Sequence, residues 1–330
     1  MSRGKNGAAS GTAASASVRP SLQHRLEYLL LLLFGAGAAL LPRPLMLGVS
    51  RLIGIFAFDI LRIRRRVTEE NLLRAFPEST ARQRRRFGRA ACINLAVVGM
   101  EMLRARRLDP GRVIDLVELE TGSENLLHEV MRVGRGAVVV GAHYGTWELL
   151  GARLAAVGYP AVAIMQAQRN PLMNEALIGV RERLGIRLVE KEGAGKEVMR
   201  TLASGGLVLI VGDQDAGPQH GLFLDFFGHP AATHGAPAAF ALRAGAPLLG
   251  GWIHRGGQRY VASLNRLDER PPAAGDRGAG SAGETEQAAI LRLTAAYLKW
   301  LEEGIRRDPG QYLWLHRRWK TRPAAQGGTP

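Results

Sequence analysis

Between residues 137 and 264 the chain alternates short β-branched runs with helix-patterned stretches, and that rhythm leaves few folds open. Strands are predicted at 137–140, 161–165, 186–189, 207–211 and 247–253, with 260–264 pairing beside the last. Between them, helices are predicted at 150–157, at 171–184 (ended by Gly185), at 196–204 and at 236–244. A Gly, Ala and Pro-rich stretch at 270–284 reads as a loop, and a long amphipathic helix follows from 285 to 306. Strands that alternate with helices imply an α/β sheet covered on both faces. There is no internal repeat.

The first 130 residues have a different character. Residues 1–20 are rich in Ser, Ala and Gly and read as a disordered tail. An uncharged apolar run at 28–41 follows, ended by Pro42 and Pro44. It is shorter than the ~20 residues needed to cross a bilayer core unaided. A second, mostly apolar stretch, 45–61, carries a single arginine, Arg51, and closes with Arg62, Arg64, Arg65 and Arg66. Three readings compete: a cleaved signal peptide, a buried core helix, and a retained membrane anchor. A signal peptide needs a small-residue cleavage site, whereas Pro42-Arg43-Pro44 and more apolar sequence follow here. The anchor is preferred, as one tilted span or a hydrophobic hairpin in one leaflet. Further arginines at 82, 84–86, 104, 106 and 107 suit the cytoplasmic side of an anionic membrane, although each cluster alone reads as a solvated helix face.

The formal net charge is +15 over 330 residues, which implies an anionic partner such as a membrane surface, an acidic protein or nucleic acid. Nucleic acid is disfavoured because no known binding module appears. The only cysteine, Cys92, lies in an apolar stretch, so an intrachain disulfide is impossible and multi-cysteine zinc sites are excluded.

Chemistry concentrates in three places. His143 directly follows the first strand, in Gly141-Ala-His-Tyr-Gly145-Thr146-Trp-Glu148. Positions five apart on a helix point about 140° away from each other. The pair therefore works only with His143 in the strand-to-helix turn and Glu148 in the first helical turn, where Thr146 is a plausible N-cap. Glu148 would then fix one imidazole nitrogen while the other removes a hydroxyl proton. Amides at the helix N-terminus, around Gly145 and Thr146, would stabilise an oxyanion. The alternative is a turn histidine with an acid that merely favours the helix start. The second place is Asp213-Gln214-Asp215, at the end of another strand, with no third ligand at metal spacing. The third is Arg169-Asn170-Pro171, where Arg169 could hold a phosphate or carboxylate. Gly193-Ala-Gly-Lys196 lacks the phosphate-loop pattern, and no Gly-x-Ser-x-Gly elbow exists. Aromatics and cations interleave in 312–320, a pattern that suits nucleic acid or a membrane interface.

These blocks together resemble the bacterial lipid A biosynthesis (lauroyl/myristoyl) acyltransferase family. Its pieces run in order: the N-terminal apolar segment, Asn71-Leu-Leu-Arg-Ala-Phe-Pro-Glu78, the His143–Glu148 block, Arg169-Asn-Pro171, Gly212-Asp-Gln-Asp-Ala-Gly217 with Phe226-Phe-Gly228 and Thr233, and Tyr312-Leu-Trp-Leu-His-Arg-Arg-Trp-Lys320. The resemblance implies a glycerol-phosphate-acyltransferase-like mixed sheet flanked by helices. It divides the chain into a tail (1–20), membrane-anchor helices (21–66) and an acyltransferase domain (67–325). It implies an acyl donor on acyl carrier protein or coenzyme A, a glycolipid acceptor, the cytoplasmic face of a bacterial inner membrane, and no metal or redox cofactor. His143 would be the general base with Glu148 orienting it. Arg169, Asn170, Asp213, Gln214, Asp215 and Thr233 would line the acceptor cleft. An arginine expected shortly before the Asn-Pro is Gln166 here. Competing readings are transfer to mannosylated phosphatidylinositol or an aminolipid, a thioesterase, and a non-catalytic basic membrane-surface protein on the same scaffold.

Overall fold

The computed structural model of the chain describes residues 19–257, 259–268 and 284–323. The expected tail, apart from Arg19 and Pro20, and the expected loop at 270–284, apart from Glu284, lie outside these residues.

The β-branched run Ala137–Gly141 (β2) is buried at every position, as a strand covered on both faces must be. It pairs in parallel with β5 (Leu207–Val211) on one side and β8 (Leu248–Gly256) on the other. Beyond β5 come β3 (Ala161–Met165) and β4 (Ile186–Glu190), also parallel. Beyond β8, β9 (Arg259–Arg266) runs antiparallel, and the short β1 (Val117–Leu119) pairs in parallel with β9. The seven-stranded sheet is therefore mixed and mostly parallel, in the order β1-β9-β8-β2-β5-β3-β4. A separate antiparallel hairpin, β6 (Gly221–Phe226) and β7 (His229–His234), turns through Phe227 and Gly228, both at positive φ.

Alternation along β2 explains the layers. Val138 and Val140 face a core shared with α9 (Ala194–Ala203), α10 (Ala236–Ala244) and α11 (Glu286–Arg307). Ala137 and Val139 face the opposite core, shared with α6 (Thr121–Arg132) and α7 (Trp147–Ala155). The helix α8 (Pro171–Arg183) joins β3 to β4.

The N-terminal helices form a layer of their own. They are α1 (Leu22–Leu40), α2 (Arg43–Ile55) with a π-helical turn at Phe56–Ile60, α3 (Arg65–Ala75), α4 (Ala81–Ala105) and α5 (Pro110–Leu116). A Cβ on Gly54 would lie 2.4 Å from the Ile93 Cα, so α2 crosses α4 almost backbone to backbone. In α1 only Gly35 and Ala38 are buried, while Leu22, Leu26, Leu29, Leu30, Leu33 and Phe34 are exposed. Among the described residues no single helix is long and apolar enough to cross a membrane. The Arg43–Ile60 and Arg65–Ala75 helices qualify together but are bent by 91° at the break between them.

The aromatic and cationic C-terminal block is not an exposed platform. Tyr312, Trp314, Arg318 and Trp319 are all buried, and Trp314 stacks edge-on against Phe76, Phe227 and Tyr312. Neither base stacking nor an interfacial belt is open to these rings. The segment is stitched to α3, where Asn71 Nδ2 donates to the carbonyls of Trp314 (2.8 Å) and His316 (2.7 Å). Replacing Asn71 with alanine strands two carbonyls in a buried setting and should cost about 2–4 kcal/mol. Chemical denaturation would measure that loss, and limited proteolysis should show new cleavage within 312–322.

Candidate active site

The chain leaves β2 at Gly141 and turns through residues 142–146 into α7. Gly145 sits at φ +55°, and a Cβ there would lie 1.9 Å from the Ile253 carbonyl oxygen on β8, so only glycine fits. Within this turn the only backbone bond is from Tyr144 N–H to Ala142 O, and distant residues hold the rest. The Gly145 N–H donates to Gln311 O (3.1 Å) and the Leu313 N–H donates to His143 O (3.0 Å). Asn94 Nδ2 donates to both Gly145 O (2.9 Å) and Gln311 O (3.1 Å). His143 is thereby fixed at the carboxyl end of the central strand, where α/β sheets place ligand crevices.

The imidazole partner differs from the sequence expectation. His143 Nδ1–H donates to Asp213 Oδ1 (2.8 Å), and the His143 backbone N–H donates to Asp213 Oδ2 (3.1 Å). Asp213 follows β5, and β5 lies beside β2, so strand order delivers this carboxylate. Glu148 instead turns to α8. Its Oε2 accepts from Arg181 Nε (2.9 Å) and its Oε1 from Arg181 Nη2 (2.5 Å). That bidentate fork occupies both carboxylate oxygens, which is why Glu148 does not orient the ring by contact.

With Nδ1 donating, the lone pair lies on Nε2. The Gln214 Nε2 stands 3.4 Å from that nitrogen and 3.5 Å from Nδ1, and the Trp147 ring meets the imidazole edge-on at 4.9 Å. Burial by itself lowers the His143 pKa. The Asp213 charge and hydrogen bond, with the Glu148 charge, outweigh it and lift the group above its ordinary 6.5. Burial likewise raises Asp213, but the His143 charge and hydrogen bonds overcome it and hold the carboxyl below its usual range. The neighbouring His316 is lowered, chiefly by burial.

The other expected residues divide clearly. Thr146 occupies the N-cap position of α7, yet its buried hydroxyl makes no capping bond. The Gly145 amide is taken by Gln311 and is not an oxyanion donor. Asn170 caps α8 by accepting from Leu172 N–H and Met173 N–H, and its Nδ2 donates to His24 O and Glu27 Oε2 on α1. Asp215 accepts from Thr321 N–H (3.0 Å) and Thr321 Oγ1–H (2.8 Å). The fully buried Thr233 accepts from Arg318 Nη2 (2.6 Å) and donates to Ala231 O. Asn170, Asp215 and Thr233 thus serve the fold rather than line an open cleft. Arg169 is exposed in the loop before α8, and Gln214 lies against the imidazole. Arg181, and the placing of Asp213 on Nδ1, were not read from the sequence. No local pattern marks Arg181, 33 residues from its partner. Among the described residues no group of three or more His, Cys, Asp or Glu side chains is placed to hold a metal ion.

Residues 16–321 match the sequence model described as bacterial lipid A biosynthesis acyltransferase. The chain is 28% identical over 288 residues to the lipid A biosynthesis palmitoleoyltransferase of Escherichia coli (strain K12), covering 87% of this chain and 88% of that protein. It is also 28% identical over 289 residues to the lipid A biosynthesis lauroyltransferase of the same strain, covering 86% and 88%. A more distant match, 24% over 167 residues, is the phosphatidylinositol mannoside acyltransferase of Mycolicibacterium smegmatis, covering 48% and 53%. With the family's pattern running through nearly the whole α/β body and the helical layer before it, the chain belongs to the bacterial lipid A biosynthesis acyltransferase family and is an acyltransferase.

Proposed function

We propose that the chain moves a fatty acyl group from a thioester, carried on acyl carrier protein or coenzyme A, to a hydroxyl of a lipid A-like glycolipid at the cytoplasmic face of the inner membrane. The observation that carries this reading is the His143–Asp213 pair at the carboxyl end of β2, in a chain whose relatives are named for acyl transfer. His143 Nε2 takes the proton of the acceptor hydroxyl as that oxygen attacks the thioester carbonyl. Asp213 holds the tautomer and steadies the imidazolium. The tetrahedral oxyanion then collapses, the carbon–sulfur bond breaks, and the imidazolium returns its proton to the departing thiolate. First-turn amides of α7 beyond Gly145 stabilise the oxyanion. Glu148, clamped by Arg181, supports the imidazolium through space. Arg169 and Gln214 are the members of the expected acceptor set with polar groups left for a ligand.

The exposed apolar residues of α1 and α2 support docking in the membrane interface, with the neighbouring arginines toward anionic headgroups. An acidic carrier protein is drawn to the same positive charge.

Three outcomes test this reading. Mass spectrometry of host lipids should show one acyl mass gained with the wild-type chain and absent with His143→Ala, whose in vitro rate should fall about 10²- to 10⁴-fold at unchanged circular dichroism. Release of free fatty acid from acyl carrier protein without any acceptor would instead favour a thioesterase. The base must be neutral and its pKa is raised, so the rate should fall as pH drops through a midpoint above 6.5. Asp213→Asn should lower that midpoint while cutting the maximal rate about 10²-fold or more. An unmoved midpoint would remove Asp213 from the imidazole. For docking, Leu26→Glu/Leu33→Glu/Phe34→Glu charges an exposed face and should leave the fold intact while abolishing co-flotation with phosphatidylcholine vesicles. Undiminished flotation would overturn the interfacial role of α1.

A further inference from the structure

Away from the imidazole, a cavity of about 550 Å³ opens where α1 ends, α2 begins and α4, α5 and β9 converge. Five arginines line it, Arg43, Arg104, Arg107, Arg112 and Arg259, against only Glu101 and Asp115. Glu101 is already neutralised. It is buried, lies 3.0 Å from Arg43 and accepts a hydrogen bond from Tyr260 Oη (2.7 Å). Arg104, Arg107 and Arg259 have no carboxylate partner among the described residues, and Arg112 reaches Asp109 only at 3.4 Å. Positive charge therefore exceeds negative in this concavity, five arginines against two carboxylates, which favours a compact anion.

Part of this cluster has a structural job. Arg104 Nη1 donates to Ala38 O (2.9 Å) and to Leu41 O, and Arg107 Nη1 donates to Ala39 O (3.1 Å). These bonds satisfy the last carbonyls of α1 and pin the elbow between α1 and α2. Arg259 and Arg112 have no such duty. Arg259 is exposed at the start of β9, and the bonds of Arg112 are local, to Arg107 O and to its own helix N-cap residue Asp109. Among the described residues, neither side chain is bonded to α1 or α2.

Two facts of position indicate the ligand. Leu40 and Leu45 are 74% and 53% exposed, next in sequence to Ala39 and two residues from Arg43, which line the cavity, so apolar surface lies close to the charged recess. Arg259 pairs with Gly256 at the β8–β9 turn, six residues beyond the Gly250 that pairs with Val140, so the cavity opens at the sheet end that also carries His143. A ligand that joins a phosphate to acyl chains matches both halves. An acidic protein helix presents its charges on a convex surface and does not enter a recess of this size.

The structure assigns this cavity as a binding site for the phosphate headgroup of an anionic phospholipid, seated at the α1–α2 elbow and distinct from the acyl-transfer centre. The assignment rests on interfacial docking of α1 and α2, and the two are separable. Binding to vesicles of phosphatidylcholine alone reads the apolar face, whereas the gain on adding phosphatidylglycerol reads the cavity.

The test is co-flotation of the full chain with both vesicle types for the wild type, Arg112→Gln/Arg259→Gln, and Arg132→Gln/Lys299→Gln. The last variant removes the same charge from exposed sites on α6 and α11. The cavity variant should lose about tenfold of the phosphatidylglycerol-dependent affinity at unchanged phosphatidylcholine binding, and the control less than about twofold. Equal losses in the two variants would make the effect one of overall charge and overturn the site. An undiminished gain in Arg112→Gln/Arg259→Gln would also overturn it. In that case titration of the chain with inorganic phosphate alone identifies a free-phosphate pocket. Failure of the wild type to bind phosphatidylcholine vesicles would instead remove the docking reading.

Discussion

The turn between β2 and α7 depends on a splice to the other end of the chain. Residues 143–145 run beside 311–313, exchanging backbone hydrogen bonds across more than 160 positions, and Asn94 bridges the two segments from α4. The same C-terminal segment is tied to α3 by Asn71, to Asp215 by Thr321 and to the β7 backbone by Arg318. Helical layer, hairpin and sheet therefore meet on one strap. Backbone groups paired across the strap favour a single arrangement, because an alternative leaves these donors and acceptors without partners.

Two ion pairs divide the electrostatic work beside the strap. Asp213 is nearly inaccessible yet anionic, since it accepts from both the ring and the backbone of His143 and stands close to the Arg318 charge. Double acceptance fixes the side-chain torsions of the histidine as well as its tautomer. The Glu148–Arg181 fork places a second carboxylate near the ring without competing for Nδ1, its effect partly offset by the guanidinium. Placing two carboxylates near one imidazole is tolerable only because a guanidinium neutralises one of them.

Much of this fold was legible in the sequence because strand-forming runs and helix-forming stretches alternate strongly. The buried strands were bounded to within one or two residues at most of their ends, and β8 was extended by three at its carboxyl end. What escaped has physical reasons. β1 is three residues of Val-Glu-Leu, too short to show a period. The hairpin β6–β7 carries Pro230 and two alanines, which favour a strand weakly, so only pairing reveals it. His143 was legible because Gly141 and Gly145 bracket it at the end of a strand. Its partner was not, since choosing between Glu148 and Asp213 requires knowing that β5 lies beside β2. Asp215 and Thr233 stood out as polar residues in distinctive blocks, but they anchor the strap that supports the site.

The splice also sets an order of events during synthesis. The β2–α7 turn leaves the ribosome long before residues 311–323, which follow every strand and helix of the body. Until residues 311–323 arrive, His143 O and Gly145 N–H lack their partners, and Asp215 lacks Thr321. A nascent chain can pair most of its sheet while the histidine remains unfixed. A chain interrupted before residue 311 would leave the β2–α7 turn without these bonds and His143 without its fixed orientation.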